Sequence, residues 1–142
     1  MITHLLDTSA LLAHYLDEPG AARVEELWKD RANRVAVCVL TLPELKTRLD
    51  AVLTDQDEAD RAFRLYTEQL TVPVAVTREV ALAAIELREL ASGRLPLIDP
   101  VIAACAKRES AVLVHRDPHM TAIPAEIVQQ LVLPEKTVRP TT

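Results

Sequence analysis

Asp7, Glu44, Asp99 and Asp117 are the side chains of this sequence best suited to chemistry. Each stands just beyond an apolar, strand-like run or at the mouth of a helix next to one. A parallel sheet gathers such positions along one edge, where carboxylates repel unless a divalent cation holds them. Oxygen donors favour a hard cation, Mg²⁺ or Mn²⁺, over zinc, which prefers cysteine and histidine. A cation held there acidifies a water and stabilises the charge that builds on a phosphodiester under in-line attack, so the chemistry is that of a metal-dependent nuclease. Two cations about 3.5–4 Å apart would use all four acids, whereas one would leave some to position water.

Each acid also has a conformational explanation. Asp7 before Thr8 and Ser9 suits a helix N-cap, Asp99 before Pro100 suits an N-cap followed by proline at the first helical position, and Asp117-Pro118 is a common turn. Glu44 follows Thr41 at the spacing of a capping box. Capping accounts for the four acids singly but not for their convergence on one sheet edge. Ligands of open α/β sheets bind beyond the carboxyl ends of the strands, and Asp99 reaches that edge only if its helix N-terminus points there.

The elements that must position these residues alternate short apolar runs with helical stretches, the pattern of an α/β fold with a largely parallel sheet. Strands are expected over residues 2–6, 35–40, 72–76, 111–114 and 127–132, the second a continuous apolar run fit to be buried on both faces. Helices are expected over residues 9–16, 21–30, 41–52, 57–70, 78–91 and 99–108. The third and fourth form a hairpin, the fourth being polar with a stripe of Ala59, Ala62, Phe63 and Tyr66. Pro19-Gly20 breaks the chain between the first two helices, and Ser92-Gly93 ends the fifth. Residues 1–133 read as one domain and 134–142 as a frayed C-terminal tail.

Composition narrows the classes. A chain of 142 residues builds one core, and 49% apolar residues with 3% aromatics make that core aliphatic. Gly20 and Gly93 are the only glycines, which excludes the glycine-rich phosphate loops of Walker and Rossmann proteins. A net charge of −5 argues at first against a nucleic-acid partner. Setting the four acids aside leaves −1, and bound divalent cations reverse the local sign, so the balance leaves RNA open. Cys38 and Cys105 lie in apolar runs and read as small buried hydrophobes rather than a disulfide. The N-terminus lacks the basic lead and apolar core of a signal peptide, and no apolar run approaches the roughly 20 residues of a membrane span. A soluble cytoplasmic protein is expected.

Four segments, in this order, resemble the PIN domain and, within it, the VapC-type toxins of bacterial and archaeal toxin–antitoxin pairs. They are Leu6-Asp7-Thr8-Ser9-Ala10-Leu11, Pro43-Glu44-Leu45, Leu97-Ile98-Asp99-Pro100-Val101-Ile102-Ala103-Ala104, and residues 112–117. The likeness covers about residues 1–133. It implies a five-stranded, mainly parallel sheet flanked by helices, a Mg²⁺- or Mn²⁺-dependent endoribonuclease, frequently a homodimer, and a cognate antitoxin protein that inhibits it. It further implies that Asp7, Glu44, Asp99 and Asp117 form an acidic quartet. Thr8 or Ser9 would hydrogen-bond a ligand carboxylate or the substrate phosphate, although both are equally explained as first-turn helix residues.

One departure stands out. Such chains usually carry Thr or Ser two residues before the fourth acid; this one has His115, and His119 two residues after it. In an extended segment residues 115, 117 and 119 share a face, which would bring an imidazole to the cation or let it shuttle a proton. Pro118 interrupts such extension, and both histidines are then partly solvated loop residues. Lys46, Arg48, Arg94 and Arg116 are candidates to offset substrate phosphates, Arg94 first because its loop leads to Asp99; each is equally a solvated surface charge. Few aromatics means no broad base-stacking platform, so RNA would be recognised by shape and backbone. Trp28 is either core or part of a dimer or antitoxin surface.

Two other enzyme and signalling classes fail on single positions. A haloacid-dehalogenase-type phosphatase needs a second acid where Ser9 stands, and a receiver domain needs its acid where Val76-Thr77-Arg78 follows the third strand. A catalytically weak PIN-like module, acting through protein or RNA contacts, shares every residue named above and differs from the enzyme only in cleavage.

Overall fold

Five short runs assemble side by side, the inner three (4–6, 35–38 and 112–115) with buried side chains on both faces of the pleat and the outer two (72–74 and 130–132) only partly buried. The computed structural model describes residues 1–136. Strands β1 (His4–Leu6), β2 (Val35–Cys38), β3 (Val72–Val74), β4 (Val112–His115) and β5 (Gln130–Val132) form one sheet in the order β3-β2-β1-β4-β5. Every pairing is parallel, with His4 opposite both Val35 and Val112. Successive residues serve opposite layers: Leu5, Ala36, Cys38 and Leu113 enter one core, and Leu6, Val35, Val37 and Val114 the other. This is the expected single α/β domain.

Helices α1 (Thr8–Tyr15), α2 (Ala21–Lys29), α3 (Thr41–Val52) and α4 (Gln56–Arg64) cover one face; α5 (Arg78–Leu90) and α6 (Ile98–Arg108) cover the other. The expected helix over residues 57–70 stops being α-helical at Arg64 and continues as a π-helical turn, Leu65–Gln69. There Tyr66 is buried, its hydroxyl bonded to His14 Nδ1, and Trp28 Nε1 donates to Leu70 O at 2.7 Å. Trp28 is therefore half-buried packing between α2 and this turn. Strands β1, β2, β3 and β5 are shorter than expected, their remaining residues lying in the adjoining caps and loops.

Cys38 and Cys105 are buried free thiols with Sγ atoms 3.4 Å apart. Gly20 adopts φ +97°, and a Cβ there would lie 3.1 Å from Leu133 Cβ, so the turn between α1 and α2 needs glycine to let the end of β5 approach. Lys136, in the expected tail, reaches Glu18 at 2.9 Å; residues 137–142 of that tail lie outside the described residues. No helix among the described residues is long and apolar enough to cross a membrane.

Candidate metal centre

The strand order reverses between β1 and β4, because the chain adds β2 and β3 on one side of β1 and then crosses to place β4 on the other. A crevice opens at the carboxyl ends of strands at such a switch. Asp7 follows β1 and Asp117 lies two residues beyond β4. The two loops are tied together: Asp7 N–H donates to Val114 O at 3.1 Å, and Arg116 N–H donates to Ser9 Oγ at 3.0 Å. Ser9 Oγ in turn donates to Asp7 Oδ1 at 2.6 Å, and Ala10 N–H donates to the same oxygen at 3.0 Å. Asp7 is thus the N-cap of α1 and also a lining residue of the crevice.

Two of the acids are free of the capping duties their spacing suggested. The sixth helix begins at Ile98, one residue before Asp99, with Leu97 in the cap position and no side-chain cap. Asp99 sits in the first turn and Pro100 follows it, where an N–H would have no intrahelical partner. Thr41 is likewise the first residue of α3 rather than its cap, and its buried Oγ1 has no partner, so no capping box with Glu44 forms. Both carboxylates are left to face the crevice. The helix N-terminus of α6 also favours negative charge at Asp99.

Asp7, Thr8, Ser9, Glu44, Arg48, Asp99, Arg116 and Asp117 line one hollow of about 440 Å³. The four acids named from sequence therefore meet. Burial, the larger cause, raises the pKa of Asp7 from 3.8 to about 7; the Ser9 and Ala10 hydrogen bonds oppose it, and the Asp117 and Glu44 charges add to it. Asp99 is raised to about 6, first by burial and then by Asp117 and Asp7, while His119 pulls it down. Mutual repulsion in a partly desolvated hollow is what a bound cation relieves. Thr8 Oγ1, buried on the same wall, has no hydrogen-bond partner. The donor set and this orphaned hydroxyl fit a hydrated hard cation.

The histidines separate. His115 is 0% exposed and lies outside the hollow's lining. Its Nδ1 accepts the Asp117 N–H at 3.0 Å, and its Nε2 bonds to Gln130 Oε1 at 2.8 Å, so the neutral ring carries its proton on Nε2. Gln130 Nε2 then donates to Ile123 O at 2.9 Å. Burial lowers the His115 pKa, in keeping with a neutral ring. Both nitrogens are thereby engaged in holding the Asp117 loop, and neither is free for a cation. His119 does not line the hollow either, but it is the imidazole beside two of its acids: one of its ring nitrogens and one oxygen each of Asp99 and Asp117 lie within 4.8 Å of one another.

The basic residues separate too. Arg48 and Arg116 line the hollow. Arg94 is exposed on a neighbouring apolar groove, shared with Ile85, Leu97 and Val101, and does not reach the acids. Lys46 is held by Asp50 and Asp60. Arg116 is anchored by Glu18, whose carboxylate it shares with Lys136. Burial pushes the Glu18 pKa up, but Lys136 and Arg116 more than offset this and hold it below the usual value. Nothing in sequence spacing marks Glu18, since its partners lie about 100 residues away.

A family model for the PIN domain matches residues 4–126. The chain belongs to the PIN-domain family. Among solved structures, this PIN domain is similar to VapBC2 from Rickettsia felis, bound to a DNA fragment from its promoter, with TM-score 0.74 and 18% identity over 94% of this chain and 100% of that one. VapBC-1 from nontypeable Haemophilus influenzae gives TM-score 0.70 and 21% identity over 93% and 98%. Mycobacterium tuberculosis VapC20, described as a sarcin–ricin loop cleaving toxin, gives 0.68 and 18% over 93% and 100%. At these identities the likeness is one of fold. A comparison with curated proteins found no match.

Proposed function

We propose that this PIN domain is a Mg²⁺- or Mn²⁺-dependent endoribonuclease, the toxin of a type II toxin–antitoxin pair, cytoplasmic and frequently dimeric as such toxins are. The observation that carries the reading is the meeting of Asp7, Glu44, Asp99 and Asp117, from four separate segments, in one hollow at the sheet's carboxyl edge. These four would hold the cation, which when bound supplies the Lewis acidity that phosphodiester hydrolysis needs. Asp7 presents its carboxylate in one orientation because Ser9 and the Ala10 amide fix Oδ1. Asp117 is oriented through its own amide by His115. Arg48 and Arg116 place positive charge on the wall against which a phosphate would rest. An antitoxin partner is supported by similar folds described as a toxin–antitoxin complex and as a member of the VapBC family of toxin–antitoxin systems.

The test is cleavage of end-labelled RNA by the purified full chain with Mg²⁺, with Mn²⁺ and with EDTA, beside Asp99→Asn. Metal-dependent cleavage lost in the variant supports the enzyme. Binding of RNA without cleavage, indifferent to metal, would establish a binding module instead. Co-purification with the small product of an adjacent reading frame would support the toxin assignment.

A further inference from the structure

We propose that His119 ligates the divalent cation beside Asp99 and Asp117, and that this nitrogen donor makes the site prefer Mn²⁺ to Mg²⁺. The inference rests on the metal-centre reading above and adds a ligand that the four acids do not include.

The placement of the two histidines carries it. His115 cannot serve, because its ring is buried and both nitrogens are used. His119 is the opposite case. Its side chain is 58% exposed and its ring stands over the Asp117 carboxylate, with Nδ1 3.1 Å from Asp117 Oδ1. The His119 backbone N–H donates to that same oxygen at 2.9 Å, and Met120 N–H donates to Asp117 O at 3.0 Å. The turn therefore fixes the backbone that carries the ring, and in this arrangement a ring nitrogen lies within 4.8 Å of oxygens from Asp99 and Asp117 without needing a loop to close. Nδ1 is the ring nitrogen beside Asp117, and in the tautomer that carries its proton on Nε2 the Nδ1 lone pair is free for a cation. The Thr8 hydroxyl gives independent support for a ligand in the hollow: Thr8 is 3% exposed and its Oγ1 has no partner in the protein.

Selectivity follows from donor chemistry. Mg²⁺ demands near-ideal octahedral oxygen coordination and keeps its waters, so an imidazole adds little to its binding. Mn²⁺ also takes carboxylates and water, but as a transition ion it gains more from an imidazole nitrogen. A site of Asp99, Asp117 and His119, with Asp7 and Glu44 at its margin, is therefore a mixed oxygen and nitrogen site rather than an all-oxygen one.

The experiment uses the full-length chain stripped of metal, titrated separately with Mn²⁺ and Mg²⁺ by calorimetry, with pulsed electron paramagnetic resonance on the Mn²⁺-loaded form. His119→Ala and His119→Gln are compared with the parent chain, and circular dichroism checks that each folds. We expect nitrogen hyperfine coupling to Mn²⁺ in the parent and none in either variant. We also expect Mn²⁺ affinity to fall roughly tenfold or more in the variants, while Mg²⁺ affinity changes by no more than about twofold. Mn²⁺ bound with no nitrogen coupling, or equal losses for both ions, would overturn the His119 assignment and leave the metal centre intact. Failure of the parent chain to bind Mn²⁺ at all would overturn both.

Discussion

Replacing Asp7 by asparagine should stabilise the metal-free protein at alkaline pH while removing one of the groups that hold the cation. The side chain is 5% exposed, and its pKa of about 7 lies well above the 3.8 of an unperturbed aspartate. At about 1.4 kcal/mol per tenfold change, the folded chain disfavours the ionised form by roughly 4 kcal/mol relative to the unfolded chain. The folded state binds the extra proton between those two values, so stability falls as pH rises from 3.8 to about 7 and the full loss is present above 7. Asparagine keeps an acceptor for the Ser9 hydroxyl and the Ala10 amide and remains a good N-cap, but it has no proton to lose. The variant should therefore exceed the parent by up to roughly 4 kcal/mol at pH 8 and by roughly 2 kcal/mol at pH 5. Urea denaturation in EDTA, followed by circular dichroism at both pH values, reads this directly. Saturating Mn²⁺ should shrink or reverse the difference, because a ligand of the native state stabilises only the protein that binds it. Equal stabilities at pH 8, or an offset independent of pH, would refute the argument that Asp7 is desolvated.

Three further outcomes follow from named contacts. His115→Ala leaves the Asp117 amide and Gln130 Oε1 without their partner in a fully buried place, and should cost roughly 2–4 kcal/mol in urea denaturation; a change below about 0.5 kcal/mol would count against the relay. Gly20→Ala forces a Cβ to within 3.1 Å of Leu133 Cβ at φ +97°, so its melting temperature should drop by an amount equivalent to about 1–2 kcal/mol. Arg48→Ala should reduce the log–log salt slope of RNA binding by about one, whereas Arg94→Ala, on the adjacent groove, should change it less; the reverse order would relocate the phosphate path.

Much of the fold was legible along the chain. The apolar runs that became β1 to β5 and the helical periodicities between them depend on local spacing, which the backbone reads directly as twofold or 3.6-fold repeats. Legibility failed at the helix caps. Asp99-Pro100 and Thr41-x-x-Glu44 are good capping spacings, yet Asp99 and Thr41 lie within their helices, behind Leu97 and Leu40 in the cap positions. Local propensity ranks residues for the cap position but does not by itself fix where the first turn closes.

By itself the sequence determined the α/β alternation, the four acids and the presence of imidazoles on both sides of Asp117, because residue type and near-neighbour spacing are properties of the chain. Only the tertiary structure decided that β4 inserts beside β1 and that Ser9 meets the Arg116 amide 107 residues away. It also decided that His115 turns inward while His119 stays beside Asp99 and Asp117, and that Arg94 faces another groove. Those outcomes depend on which surfaces are desolvated together, and that is set by strand order and packing between distant segments rather than by any local pattern.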